Sequence, residues 1–355
     1  MQCKEITGLW TLKDAYMPKD AGKVFSCFAC TGGSTMGYKL AGFDVIGMNE
    51  IDPRIAAIYK LNHKPKYSFI CSIRDMIDAE LPEALYNLDI LDGSPPCSSF
   101  STSGNREKDW NKVKQFAEGQ ALQRLDDLFF EYIALAKKIQ PKIVVAENVK
   151  GLISGKARGY VKEILTSFND ANYDVQIFLL NACNMGVPQY RNRVFFIGKR
   201  KDLNLPKINL LFKEKPILLK EAVSWLGKYD DTKIEKNLCI KHMDAYKLYI
   251  KAKPGESLAK VHPKGCFFNK QKLSFDKPCP TLTATTSNFF HPTEARQLST
   301  NEYKILSTFP MDMNFSNLIP TKKKWAMGMS VPPFMTQRIA LSIKRQWISV
   351  LNEKK

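Results

Sequence analysis

Residues 88–97 read Leu-Asp-Ile-Leu-Asp-Gly-Ser-Pro-Pro-Cys, and this stretch says more about the fold than any other. Its apolar run predicts a parallel strand that ends in a polar turn. Open α/β sheets bind their ligands beyond the carboxyl ends of such strands. Two prolines restrict the loop that follows, so the thiol of Cys97 is presented on a stiff segment. Taken alone, this cysteine is a covalent nucleophile or, more commonly, a small buried hydrophobe.

Further strands lie on both sides of this stretch and alternate with helices. Apolar runs predict them at residues 23–28, 43–48, 67–71, 143–146, 173–180 and 193–197. The spacing of Leu122, Leu125, Leu128 and Ile133 predicts a helix over residues 117–139. This alternation is typical of an α/β fold with a doubly wound, mostly parallel sheet.

The alternation stops near residue 198, where a lysine-rich segment begins. Residues 199–277 contain 19 basic and 9 acidic residues, a net charge of +10 in a chain whose net charge is +18. We expect a larger domain formed by residues 20–198 and 325–355, and a smaller region at 199–324 with a variable basic core at 199–277. A positive charge of this size favours a polyanionic partner, either nucleic acid or a membrane surface.

Several functional classes are excluded by composition. No apolar stretch reaches the roughly 20 residues that span a bilayer, and residues 1–13 lack the apolar region of a signal peptide. The nine cysteines have no repeating spacing and the four histidines are scattered. We therefore expect a cytoplasmic protein with no membrane association, no disulfide framework and no metal.

A nucleoside site is predicted at the ends of the first two strands. Gly32 and Gly33 follow the first strand, and small residues there let backbone N–H groups approach a ligand closely. Glu50 ends the second strand, at the distance of about 20 residues typical of a carboxylate that accepts ribose hydroxyls. Cys30 replaces the first glycine of a dinucleotide-binding turn, so a single adenosine-type nucleoside fits better. A tight turn beside a solvated glutamate would give the same pattern.

Five segments in a fixed order carry a family resemblance. They are Phe28-x-x-x-Gly32-Gly33, Pro95-Pro96-Cys97, Glu147-Asn148-Val149, Gln189-Tyr190-Arg191-Asn192-Arg193 and Gly328-Met329-Ser330-Val331-Pro332. Together they closely resemble the DNA cytosine-5 methyltransferases, from about residue 23 to 343. Residues 199–277 stand at the place of that family's variable target-recognition domain. The resemblance implies a Rossmann-like methyltransferase domain, double-stranded DNA as partner and S-adenosyl-L-methionine as methyl donor, released as S-adenosyl-L-homocysteine.

The resemblance also implies catalytic roles for four residues. Cys97 would add to C6 of a flipped-out cytosine, and the carboxyl group of Glu147 would donate to N3. A glutamate at a helix N-terminus is the structural alternative for Glu147. Arg191 and Arg193 are expected to alternate on one strand and to hold the cytosine, its phosphate and the Glu147 carboxylate. The polar segment 98–119 is expected to be a loop that closes on DNA.

Further residues of the site follow from the same resemblance. Substrate binding is assigned to Ser98, Asn148 and Gln189, with Asn148 fixing the loop. The residues expected to bind the cofactor are Phe28, Thr31, Gly32, Gly33, Glu50, Ile51, Ser72, Ile73, Asp92, Pro95, Ser330 and Val331. Cys30, Ser72 and Met329 depart from the residues usual in the family.

Three alternative functions stay open. An RNA (tRNA) cytosine-5 methyltransferase would use the same scaffold and chemistry. A catalytically silent DNA-binding protein is slightly favoured by the departures at Cys30, Ser72 and Met329, whereas Cys97 and Glu147 argue against it. A nucleotide-dependent oxidoreductase is the third. We expect a monomeric modification enzyme of bacterial or phage type, a role compatible with a cognate restriction endonuclease as a second partner.

Overall fold

The computed structural model describes residues 8–15, 18–96, 113–114, 123–124, 127–154, 158–267 and 269–353. The chain divides into two compact units. The larger unit consists of Ala15–Asn181, Asn192–Leu211 and Thr336–Lys355. The smaller unit consists of Met1–Asp14, Ala182–Arg191 and Phe212–Met335.

A twisted sheet forms the centre of the larger unit. Its strands are β1 (Lys23–Cys27), β2 (Asp44–Asn49), β3 (Tyr67–Phe69), β4 (Ile90–Gly93), β7 (Ile143–Val149), β8 (Tyr173–Asn181) and β10 (Asn192–Arg200). Within the described residues the order is β3-β2-β1-β4-β7-β10-β8, and β10 alone runs in the direction opposite to the other six strands. The predicted α/β fold with a mostly parallel sheet is confirmed.

Helices connect the parallel strands of this sheet. They are α1 (Gly33–Leu40), α2 (Pro53–His63), α3 (Ile73–Asp78), α4 (Leu128–Ile139) and α5 (Arg158–Asp170). The strand order reverses between β1 and β4, so right-handed crossovers place helices on both faces of the sheet. Central strands covered on both faces are predominantly apolar, and Leu91, Val144 and Phe196 are buried in one cluster with Phe129 and Tyr132 of α4.

The predicted helix over residues 117–139 is wrong at residues 123–124, whereas residues 117–122 and 125–126 lie outside the described part of the chain. Helix α4 begins at Leu128, and the described residues before it include a short strand, β6 (Gln123–Arg124). This strand pairs antiparallel with β5 (Val113–Lys114). Pairing with Val113–Lys114, about ten residues earlier in the chain, therefore determines the conformation of Gln123–Arg124, although the spacing of nearby leucines predicts a helix there.

Short elements make up the smaller unit. Its helices are α6 (Leu219–Ser224), α7 (Ala245–Lys251), α8 (Thr300–Leu306) and α9 (Pro320–Met329). Its two-residue strands are β9 (Gln189–Tyr190), β11 (Gln271–Lys272), β12 (Cys279–Pro280) and β13 (Phe289–Phe290), with β9 parallel to β12 and β11 parallel to β13. Buried Ile240, Tyr249, Leu258 and Phe290 form a core cluster of their own.

The described chain ends with helix α10 (Pro333–Ile343), a π-helical turn at Lys344–Ile348 and helix α11 (Ser349–Glu353). The indole of Trp347 is fully buried and donates to the carbonyl of Pro206 at 2.9 Å. Within the described parts of the chain, no helix combines the length and apolarity needed to cross a membrane.

Candidate active site

The carboxyl ends of the central strands lie side by side in the larger unit. Cys27 of β1 pairs with Gly93 of β4, and Gly93 pairs with Ala146 of β7. Strand β10 runs the other way, so its first residues lie at this same edge, where Arg193 pairs with Val149. The edge therefore collects residues that are far apart in the sequence, at the topological switch point where α/β sheets bind ligands.

Glu147 and Arg193 form an ion pair at this edge. The Nε atom of Arg193 lies 2.7 Å from Oε1 of Glu147, and the two side chains are only 14% and 12% exposed. They are diagonal neighbours on β10 and β7, where side chains of this length meet. Burial lowers the pKa of Arg193, and the Glu147 carboxylate opposes that shift. The pair thus fixes a carboxyl group at the strand end.

Asn148 joins this strand to the segment that leads to Cys97. Its Nδ2 donates to the carbonyl of Pro95 at 3.1 Å, and its Oδ1 accepts from the backbone N–H of Val149 at 2.8 Å. Both Asn148 and Pro95 are buried. The structure therefore brings Pro95, Glu147 and Asn148 together. Cys97, Ser98 and, apart from Val113–Lys114, the predicted loop 98–119 lie outside the described residues.

The predicted nucleoside turn follows β1 and is tied to the end of β2. The carboxylate of Glu50 accepts from the backbone N–H groups of Cys30 at 2.9 Å and Asp52 at 3.0 Å. Burial raises the pKa of Glu50, although the backbone N–H groups of Asp52, Cys30 and Ile51 act in the opposite direction. A carboxylate has about four lone-pair sites, so these donors leave acceptor capacity for a hydroxyl group. Ile51 is half-buried beside it.

The backbone of this turn is left-handed at three positions. Phe28 and Cys30 have φ of 52° and 47°, and Gly32 has φ of 91°. A Cβ on Gly32 would lie 2.2 Å from Nε2 of His63. Burial lowers the pKa of His63 to about 3, so the ring is neutral and its Nε2–H donates to the carbonyl of Thr31 at 3.1 Å. Strain of this kind concentrates at ligand sites.

Ser72 and Ile73 start helix α3 after β3. The Ser72 hydroxyl accepts from the N–H of Arg74 at 3.3 Å, and the Ser72 N–H donates to Asp75 at 3.0 Å. Ile73 is buried. Ser72 therefore caps this helix at the carboxyl edge of the sheet.

Asp92 points into the interior of the larger unit. Its carboxylate accepts from the hydroxyls of Ser34 at 2.7 Å, Ser26 at 2.9 Å and Tyr38 at 3.2 Å. Burial raises the pKa of Asp92 to about 6, against the effect of the three hydroxyls. Asp92 thus ties the ends of β4 and β1 to helix α1.

The expectation that Arg191 and Arg193 alternate on one strand is wrong. Strand β9 ends at Tyr190 and β10 begins at Asn192, so Arg191 stands between the two. Its guanidinium is 2% exposed and donates to backbone carbonyls of the smaller unit. These carbonyls belong to Leu282 at 2.8 Å, Gly328 at 3.1 Å and Ser330 at 3.0 Å.

The other predicted residues of the smaller unit are also buried. Gln189 donates to the carbonyl of Leu306 at 3.0 Å and accepts from the N–H of Leu282 at 3.2 Å. The Ser330 hydroxyl donates to the carbonyl of Ala326 at 2.9 Å, and Val331 is 5% exposed. These side chains hold segments of the smaller unit together.

Comparison with known proteins agrees with this arrangement. The family model of the C-5 cytosine-specific DNA methylases matches residues 22–345. This chain belongs to that family. Type II methyltransferase M.FnuDI of Fusobacterium nucleatum is 41% identical over 187 residues, 52% of this chain and 48% of that protein. Type II methyltransferase M.DdeI of Desulfomicrobium norvegicum is 29% identical over 376 residues, 89% of this chain and 87% of that protein.

The chain thus spans about half the length of the first relative and most of the second. A solved structure supports the fold. It is a protein encoded within an E. coli prophage and described as a DNA modification methyltransferase, with a TM-score of 0.68 and 19% identity. The match covers 91% of this chain and 99% of that one.

The hydroxyl cluster around Asp92 was not predicted from the sequence. A signal was present, because Ser26 is a polar residue inside the apolar strand Lys23–Cys27. Buried polar side chains need hydrogen-bond partners, so Ser26 predicts a polar neighbour on an adjacent strand. The helix residues Ser34 and Tyr38 gave no comparable signal.

Proposed function

We propose that this protein transfers a methyl group from S-adenosyl-L-methionine to C5 of a cytosine flipped out of duplex DNA. The reaction passes through a transient bond between Cys97 and C6 of the base. The observation that supports this best is the 2.7 Å pair between Glu147 of β7 and Arg193 of β10, beside Asn148 of β7, whose amide donates to the carbonyl of Pro95. Cys97 follows Pro95 by two residues in the chain.

Carbon C5 of cytosine is too weak a nucleophile to take a methyl group unaided, so the reaction begins with activation of the ring. Attack of the Cys97 thiolate on C6 pushes electron density from the C5–C6 double bond to C5 and N3. The acid form of Glu147 donates its proton to N3 as negative charge develops there, and Arg193 keeps the resulting carboxylate in place. As C5 takes the methyl group, N3 returns this proton to Glu147. Water then removes the C5 proton, and the electron pair of that C–H bond forms the C5–C6 double bond and expels the Cys97 sulfur. The thiolate is regenerated for the next cycle.

The residues at the strand ends fit S-adenosyl-L-methionine, which supplies an electrophilic methyl group on a sulfonium. Glu50 retains acceptor capacity for a ribose hydroxyl, and the strained turn from Phe28 to Gly33 would offer backbone groups to the rest of the cofactor. Ile51, Ser72, Ile73 and Pro95 complete the proposed surface. Asp92 stabilises this proposed surface indirectly, because its hydrogen bond from Ser34 ties β4 to helix α1. Ser330 and Val331 are proposed to belong to it as well.

Positive charge supports DNA as the substrate. The chain carries +18, and residues 199–277 carry 19 basic and 9 acidic residues. Phosphate contacts from this core would supply affinity, and base-edge contacts within residues 199–324 would set the target sequence. Residues 20–198 and 325–355 are proposed to perform catalysis. A monomer bound to one duplex is sufficient for this reaction. A cognate restriction endonuclease, as second partner, would cleave the same target sequence where it is unmethylated.

The first test is bisulfite sequencing of DNA from cells that express the chain. We expect cytosines protected within one short sequence context, and no protection with the Cys97→Ser variant. Protection of tRNA cytosines instead would favour the RNA methyltransferase. DNA binding without protection would favour a silent DNA-binding protein.

A further inference from the structure

Tyr190 is an exposed aromatic residue between two buried ones. Its side chain is 56% exposed, whereas Gln189 is fully buried and Arg191 is 2% exposed. A large ring left in solvent carries an apolar surface that a partner covers more favourably than water does. We propose that Tyr190 stacks on a nucleobase of the substrate DNA beside the flipped cytosine. This inference rests on the proposed function.

A rigid frame holds the backbone that carries this ring. Tyr190 pairs with Pro280 through strands β9 and β12, and its carbonyl accepts from the Thr281 hydroxyl at 2.7 Å. On one side, Gln189 is fixed by two hydrogen bonds to backbone groups. On the other side, Arg191 donates to three carbonyls. The ring is therefore presented at little cost in backbone entropy, as preorganised recognition requires.

The position of Tyr190 in the chain connects it to the chemistry. It precedes Arg193 by three residues, so covalent geometry keeps their Cα atoms within about 11 Å of each other. Arg193 pairs with Glu147, the proposed proton donor to the target base. Under the proposed function, DNA bound at Glu147 and Arg193 passes within a few residues' reach of Tyr190, and the bases next to the target lose a stacking partner when the cytosine leaves the duplex.

Stacking is the interaction that this side chain offers best. An aromatic ring stacks on any base, because every base has a π-face, whereas a phosphate contact would use only the phenol hydroxyl. Alanine substitution of one stacking residue lowers affinity by about 5-fold to 150-fold. The phenylalanine variant separates the two contacts, since it keeps the ring and removes the hydroxyl.

The experiment compares four variants of the full chain for binding and methylation of duplex DNA. We expect Tyr190→Ala to weaken duplex binding at least fivefold and to raise KM for DNA by a similar factor. Tyr190→Phe should match the wild type. The fluorescence of Tyr190→Trp should be quenched when a substrate duplex is added. The control is Tyr86→Ala, since Tyr86 is 42% exposed beside Lys23, Asp89 and Lys142 at the opposite strand ends.

Because the substitution removes an exposed ring, we expect Tyr190→Ala to fold as the wild type does. Unchanged S-adenosyl-L-methionine binding and an unchanged melting temperature would show this. Wild-type affinity in Tyr190→Ala, or a loss in Tyr190→Phe equal to that in Tyr190→Ala, would overturn stacking. If the wild type methylates duplex DNA while Tyr190→Ala is unaffected, this inference alone fails. A wild-type chain that neither binds nor methylates the duplex would overturn the proposed function together with it.

Discussion

At the scale of single residues, the pair of Glu147 and Arg193 carries the proposed proton transfer. Glu147→Gln keeps the size of the side chain and removes the acid. We expect kcat to fall by a factor of about 10² to 10⁴, the usual contribution of a positioned acid or base. Binding of DNA and of the methyl donor should change little. Steady-state methylation with tritiated donor measures both quantities.

A second ion pair in the larger unit provides the matched control for this variant. Asp89 accepts from Nζ of Lys142 at 2.6 Å, just before the first residues of β4 and β7. Asp89→Asn removes the same kind of contact at the opposite strand ends, and kcat should stay within about twofold of the wild type. Equal losses in the two variants would contradict a catalytic role for Glu147.

Asp92 makes the stability of the protein depend on pH. Its pKa is about 6 in the folded chain and about 3.9 in an unfolded one. The folded state therefore binds the extra proton, and this carboxyl group stabilises folding most below about pH 4. That contribution, about 3 kcal/mol, is lost as pH rises to about 6 and is absent above it.

The measurement is urea denaturation of the wild type and Asp92→Asn at several pH values. The free energy of unfolding of the wild type minus that of the variant should fall between about pH 4 and pH 6 and then stay level. A difference that is constant or rises over this range would show that Asp92 is not a buried carboxyl group with a raised pKa.

At the scale of structural elements, Arg191 joins three segments of the smaller unit. Its guanidinium donates to the carbonyls of Leu282, Gly328 and Ser330. The residue between β9 and β10 is thereby linked to the segment after β12 and to the end of helix α9. Arg191→Met would leave three carbonyls without this donor. We expect unfolding to become easier by on the order of 3–5 kcal/mol in chemical denaturation. Lys220→Met, which removes an exposed pair with Asp276, should cost less than about 1 kcal/mol.

Close packing at the end of helix α9 gives a second prediction. A Cβ on Gly328 would lie 2.2 Å from the backbone carbonyl oxygen of Thr283. Gly328→Ala should therefore lower the melting temperature, at a cost of at least about 1–3 kcal/mol. Gly159→Ala is the control, because Gly159 lies in helix α5 and no atom of the described residues outside its own turn lies within 4 Å of its Cβ position. It should be neutral or slightly stabilising. A melting temperature unchanged by Gly328→Ala would contradict the close approach.

At the scale of the whole molecule, the sequence predicted what depends on local pattern. The strands were recognisable because strands buried on both faces are continuous apolar runs, and this placed Glu147 and Asn148 at a strand end. Arg191 was misplaced because alternation holds only within one strand. The break after Tyr190 depends on a pairing with Pro280, ninety residues later in the chain. Such distant contacts leave no periodic signal in the segment itself.

The central claim is tested most directly by trapping the bond between Cys97 and the base. Duplex DNA in which 5-fluorocytosine replaces cytosine blocks the final loss of the C5 proton, so the sulfur cannot leave. With S-adenosyl-L-methionine present, we predict a denaturation-resistant protein–DNA adduct whose modified peptide contains Cys97, and no adduct with Cys97→Ser. An adduct that persists in Cys97→Ser, or its absence in a wild-type protein that methylates DNA, would contradict the account.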